Sequence, residues 1–154
     1  MTEDAWYGVT QESVAKCVPP PLPSSHPLTI PSSIAAYIST HAPPSKRIIL
    51  DAFCGVGGNT IAFALSNRWS RVYAIEKDFA TLECARHNAK IYGVLEKITF
   101  FHGDCFQVLG LDESEEGKKN AVNGFSELVR EFGVCFASPP WGGMISLSFS
   151  CFST

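Results

Sequence analysis

The stretch Ile48-Ile-Leu-Asp-Ala-Phe-Cys-Gly-Val-Gly-Gly-Asn-Thr60 constrains this chain more than any other. A short apolar run ends at Asp51 and enters a glycine-dense turn, after which Asn59 opens a second apolar segment. A strand, a tight loop and a helix start therefore follow one another. Gly55, Gly57 and Gly58 allow the backbone to turn sharply and to approach a ligand closely. Asp51, at the strand's carboxyl end, can accept a hydrogen bond or face a cation. The spacing departs from the dinucleotide fingerprint, because Gly55-x-Gly57 is followed by Gly58 and the third glycine's place is taken by Thr60. A carboxylate ahead of the turn suits S-adenosyl-L-methionine, with its cationic ammonium and sulfonium, better than a pyrophosphate. A purely structural turn is the alternative.

The rest of the pattern places that loop in a sheet. Apolar runs at Ile48–Leu50, Val72–Ile75, Ile98–Phe101 and Val134–Ala137 alternate with helical segments at Asn59–Leu65, from Asp78 to Gly93, and at Phe125–Phe132. In the long helix Asp78 is the expected cap, Gly93 the terminating glycine, and Phe79, Leu82, Ala85, Ala89 and Tyr92 the apolar face. Strands alternating with helices predict a doubly wound α/β sheet with right-handed crossovers and ligands beyond the strands' carboxyl ends. Upstream, a helix capped by Thr10 is expected over residues 6–18, then a proline-rich stretch to Pro31 and a short helix over Ser32–Ser39. The polar stretch Leu111–Gly124 is expected to be a solvated insertion.

Composition narrows the class. A chain of 154 residues, 45% hydrophobic, supports one domain with a real core, here with a loose amino-terminal arm. A net charge of -3 and a pI near 5.8 argue against gripping long nucleic acid by phosphate neutralisation, so any nucleic-acid substrate must be held locally. The six cysteines show no CxxC pair or metal-ligand spacing, and read as free thiols in a reducing compartment. No apolar run reaches membrane-span length and the amino terminus is not a secretory signal, so a soluble intracellular protein is expected.

Four acids or hydroxyls fall at strand ends: Asp51, Glu76, Asp104 and Ser138. Glu76, about 20 positions after the glycine turn, can bind both hydroxyls of a ribose, or else be an exposed helix-capping charge. Asp104 can accept from the exocyclic amine of adenine with Cys105 or Phe106 against the ring, or cap the next helix, and both can hold at once. In Ser138-Pro139-Pro140-Trp141-Gly142-Gly143 the prolines fix the carbonyls beside Ser138, so that an in-plane amino group can donate there. Trp141 offers a face for a base, with cation–π attraction of roughly 0.5 to 2 kcal/mol if that base is cationic. A tryptophan buried beside a proline turn is the alternative.

Asp51-Ala-Phe-Cys-Gly-Val-Gly-Gly-Asn-Thr60 together with Ser138-Pro-Pro-Trp-Gly-Gly143 resembles the trimethylguanosine synthase family, RNA cap guanine-N2 methyltransferases. Trp6-Tyr-Gly-Val-Thr-Gln-Glu12 and Ala85-Arg-His-Asn-Ala-Lys-Ile-Tyr-Gly93 are similar to further segments of it. The resemblance implies a class I, Rossmann-like, S-adenosylmethionine-dependent methyltransferase fold. By resemblance Asp51, Ala52, Gly55, Gly57, Asn59, Glu76, Asp104 and Cys105 bind S-adenosyl-L-methionine, with Thr10 covering it. Trp141 and Pro140 then hold the 7-methylguanosine cap of an RNA, and Ser138 and Pro139 its N2 amine. The implied products are 2,2,7-trimethylguanosine caps on small nuclear and nucleolar RNAs, made in the nucleus or nucleolus with the cytoplasm as a further location, without metal and without membrane. The methyl transfer is an in-line displacement governed by positioning and desolvation. Glu76 stands where the family usually has aspartate, and residues 144–154 do not resemble it. The expected organisation is an arm over 1–45, a partial methyltransferase domain over 46–143 lacking its carboxyl-terminal strands, and an atypical tail over 144–154.

Overall fold

The computed structural model describes residues 33–139. The expected helix over 6–18 with Thr10, together with Pro140, Trp141 and the tail, lies outside the described residues.

Within them the chain runs α1 (Ser33–His41), β1 (Ile48–Asp51), α2 (Gly58–Leu65), β2 (Arg71–Glu76), α3 (Phe79–Ile91), β3 (Ile98–His102), α4 (Cys105–Val108), α5 (Glu115–Asn120), α6 (Phe125–Phe132) and β4 (Gly133–Phe136). The strands form one sheet in the order β3-β2-β1-β4, and every pairing is parallel. This is the doubly wound parallel sheet that the alternating pattern predicts, in the class I, Rossmann-like arrangement that the resemblance implies.

Because a parallel sheet is covered on both faces, its strands carry apolar residues in unbroken runs. In β1, Ile49 joins one core with Val72, Ala74 and Ile98, beneath Ala35 of α1, Ile61 and Phe63 of α2, and Leu82, Ala85 and Ala89 of α3. Leu50 points the other way and joins Ile75, Cys105 and Val108 under Phe125 and Val129 of α6. Fully burying side chains of this size contributes about 1.5–3 kcal/mol each, so the two cores hold the sheet from both sides.

The helix ends follow local chemistry. Asp78 caps α3, its carboxylate accepting from the Thr81 amide and hydroxyl, and Gly93 beyond the last turn has φ 68. Lys46 Nζ donates to the carbonyls of Arg130 and Glu131 at the end of α6, which ties that helix to the start of β1. Trp69 is buried and its indole N–H donates to Ser39 Oγ of α1, so this tryptophan is core.

The structure adds detail to one expectation and corrects another. The polar stretch after Leu111 is solvated, as expected, and contains a helix, α5, capped by Ser114 and tied back through Asn120 Nδ2, which donates to Gln107 Oε1. Phe79 does not enter the core of α3 but stays 60% exposed, its ring edge-on to His102. His41 closes α1, stacked on Tyr37 one turn back. None of the described cysteines forms a disulfide; Cys54 and Cys105 are buried as small hydrophobes while Cys135 is exposed.

Candidate active site

The turn after β1 is held by hydrogen bonds at several of its peptides. Cys54 N donates to Ile75 O and Gly57 N to Cys54 O, both at 2.9 Å, which closes a tight turn beside the end of β2. Gly55 (φ 54) and Gly57 (φ 91) sit in the left-handed region. Between them the Val56 carbonyl accepts from Asn88 Nδ2 at 3.0 Å. The Val56–Gly57 peptide is therefore fixed at its N–H by the turn and at its C=O by α3. At Gly58, by contrast, a β-carbon would meet nothing within 4 Å, so the first turn of α2 is bordered by open space.

Asp51 is 1% exposed at the mouth of this loop. Its Oδ2 accepts from Thr60 Oγ1 at 2.7 Å, while its Oδ1 is buried with no hydrogen-bond partner. Burial, reinforced by the nearby Glu76 carboxylate, pushes its pKa up to about 6 against the lowering pull of the Thr60 hydroxyl and the Phe53 and Thr60 amides. At neutral pH it is mostly ionised and under-compensated, an uncommon state for a buried carboxylate oxygen. A ligand bringing a positive charge would complete it, and the open flank at Gly58 leaves room for the ligand's body. The donor set thus fits the ammonium of S-adenosyl-L-methionine. The neighbouring Cys54 thiol is pushed upward chiefly by burial and then by Asp51 and Glu76, so it packs and does not react.

The other strand ends converge on the same edge. Asp51 pairs in register with Ala74 and Phe136, and Glu76 with His102. Glu76 bridges the loop to α3: Oε2 accepts from Gly55 N at 3.0 Å and Oε1 from Asp78 N at 2.9 Å. Asp104 caps α4, Oδ1 accepting from Phe106 N at 3.0 Å, and its Oδ2 meets Lys77 Nζ at 3.4 Å. Cys105 is buried behind it, its thiol pushed up to about 12 first by burial. Phe106, only partly buried, is the apolar side chain beside that edge. Ser138 is half-buried and Pro139 buried just past β4, whose Phe136 carbonyl accepts from Ala52 N at 2.9 Å and so holds the Asp51 end of β1. Asn59, in the first turn of α2, lies next to Gly58.

Two residues of this arrangement escape sequence reasoning. Thr60 is noticeable only as a missing glycine, yet its hydroxyl sets the Asp51 carboxylate. Asn88 interrupts the apolar face of α3, and a polar residue at a core position is the signal that could have found it.

Over residues 46–149 the chain matches the RNA cap guanine-N2 methyltransferase family. It is 30% identical over 143 residues to the trimethylguanosine synthase of Saccharomyces cerevisiae, covering 93% of this chain and 35% of that protein. It is 35% identical over 140 residues to the trimethylguanosine synthase of Schizosaccharomyces pombe, covering 90% and 44%. The chain thus spans less than half the length of either relative. A solved RNA methyltransferase from Salinibacter ruber, in complex with S-adenosyl-L-homocysteine, is 28% identical with a TM-score of 0.44 over 49% of this chain and 50% of that one. The family match runs from two residues before β1 past Ser138-Pro-Pro-Trp141, taking in the glycine loop and all four strand ends. The chain belongs to the RNA cap guanine-N2 methyltransferase family.

Proposed function

We propose that this chain binds S-adenosyl-L-methionine at the carboxyl edge of the sheet and methylates N2 of a 7-methylguanosine RNA cap, towards 2,2,7-trimethylguanosine on small nuclear and nucleolar RNAs. The observation that carries the reading is the buried Asp51 carboxylate, one oxygen unpartnered, at the mouth of a glycine loop with an open flank. When bound, the cofactor supplies an electrophilic methyl on a cationic sulfur. Asp51 balances its ammonium, with Ala52, Gly55, Gly57 and Asn59 shaping the backbone around it. Glu76, already fixed by two amides, keeps lone pairs for the ribose hydroxyls. Asp104 does the same for the adenine amine, with Cys105 behind and Phe106 beside the ring. Thr10 covers the site from the amino-terminal segment.

Ser138 and Pro139 hold the acceptor amine. The two successive prolines restrict the backbone on either side, so the carbonyls there take the amine's hydrogens and leave its lone pair for the methyl. Trp141 and Pro140 receive the base, and a permanently cationic 7-methylguanine gains more from an indole face than neutral guanine does. A nuclear or nucleolar location accords with such RNAs.

Calorimetry with S-adenosyl-L-homocysteine, followed by transfer of labelled methyl from S-adenosyl-L-methionine to capped RNA, tests the reading. Expected are saturable binding and label on 7-methylguanosine caps but little on unmethylated guanosine caps, the preference vanishing in Trp141→Ala. Absence of binding overturns the reading, and binding without transfer overturns its catalytic half.

A further inference from the structure

We propose that Thr60 is a positioning residue: by engaging one oxygen of Asp51 it presents the other to the ammonium of the bound cofactor. The inference rests on the reading of this loop as an S-adenosylmethionine site. Thr60 lies in the first turn of α2 and is fully buried, and its Oγ1 donates to Asp51 Oδ2 at 2.7 Å. A hydroxyl has one proton to give, and here it goes to a carboxylate whose second oxygen is left without a partner. The pair divides the labour between the two oxygens, one fixed by the protein and one kept for what enters.

The surroundings make the hydroxyl consequential. Glu76 on β2 opposes ionisation of Asp51, and the Cys54 thiol in the loop and the Cys135 thiol on β4 lie near enough to feel its charge. The Phe53 and Thr60 amides and the Thr60 hydroxyl favour the anion, and the hydroxyl is the strongest of them. Valine in its place has the same shape and no proton to donate. It would turn the carboxylate loose and favour its neutral form, which meets an ammonium only as an uncharged acceptor.

The test compares two probes that share the adenosine and sulfur but differ in the amino-acid end: S-adenosyl-L-homocysteine, which carries an ammonium, and 5′-methylthioadenosine, which lacks it. Binding of each is measured by calorimetry between about pH 5.5 and 8 for the whole chain and for Thr60→Val and Thr60→Ser. Expected for Thr60→Val is about tenfold weaker binding of S-adenosyl-L-homocysteine at pH 7, with its acid loss of affinity moved to higher pH, and binding of 5′-methylthioadenosine within about twofold of the parent. Thr60→Ser restores both the affinity and the pH profile. Should Thr60→Val not fold, Thr60→Cys, a weaker donor, is expected to show the same probe-selective loss. Equal loss of both probes, or loss of neither, overturns the inference while leaving the site in place. Failure of the parent chain to bind either probe overturns the site itself, and the inference with it.

Discussion

The β-carbon of Ala85 on α3 stands 3.2 Å from the point that a β-carbon on Gly57 would occupy. Helix and loop are thus in backbone contact, and φ 91 at Gly57 adds a conformation that L side chains rarely adopt. Gly57→Ala is expected to lower stability by about 1–3 kcal/mol in a denaturant titration and to weaken S-adenosyl-L-homocysteine binding at least tenfold, about 1.4 kcal/mol. Gly58→Ala separates the two effects. With nothing within 4 Å of the added methyl, the fold should be unharmed and binding should fall, because the methyl projects into the open flank.

Asp51 gives opposite pH trends for folding and for binding. Its folded pKa of about 6 lies above the ordinary 3.8, so the folded chain holds the proton more tightly than the unfolded chain. Its contribution to stability is therefore fully present below about pH 4 and declines as pH rises to about 6, by at most about 3 kcal/mol. Cofactor affinity should rise over the upper part of that window as the anion forms. Stability curves of the parent and of Asp51→Asn, subtracted to remove the other carboxylates, check the first trend. Calorimetry across the same pH range checks the second, and Asp51→Asn should bind weakly at every pH.

Removing Asn88 leaves the Val56 carbonyl without its side-chain donor. Asn88→Ala is expected to cost about 1–3 kcal/mol in unfolding free energy, the usual penalty for a buried acceptor left alone. Cofactor binding should weaken as well, since the Val56–Gly57 peptide would be held only by its N–H. Asn88→Asp, which replaces the donor with a charge in a site 4% exposed, should be worse on both measures.

Asp104 has a capping role and a proposed ligand role, and two substitutions part them. Asp104→Asn keeps an acceptor for the Phe106 amide and loses only an ion pair with Lys77, whose side chain is 78% exposed and adds little. Its melting temperature should stay near the parent's while affinity for adenosine-containing ligands falls. Asp104→Ala should lose about 1 kcal/mol of stability in addition.

Much of this architecture can be read in the chain because it is written at short range. The apolar runs of β1 and β2, the Asp78 cap and Gly93 depend on residues within a few positions of one another, and all stand where the pattern puts them. Helix α5 was hidden because Glu115–Asn120 has no apolar face and a glycine in its middle. It forms because the Ser114 hydroxyl accepts from the Gly117 amide and Gly117 packs against Asp112, contacts that periodicity does not encode. Phe79 fits the helical repeat of α3 but sits in its first turn, exposed, where His102 is the ring it meets. At the site, the acids at strand ends were visible from position alone. The Thr60–Asp51 and Asn88–Val56 hydrogen bonds were not, because they join residues from different elements through polar atoms, which leave no mark on a hydrophobic pattern.

The place of β1 inside the sheet has a consequence for how the chain comes to be assembled. Its β2 neighbour follows within one short helix, whereas its other neighbour, β4, closes the order and pairs Ile48 with Gly133. Early in synthesis the glycine bend can therefore close against Ile75 and the Asn88 amide, while the far side of β1 stays uncovered until β4 emerges. The Asp51 loop can thus close before β4 is made, whereas the residues just past Phe136 depend on the β1–β4 pairing, which has the largest sequence separation among the described strands.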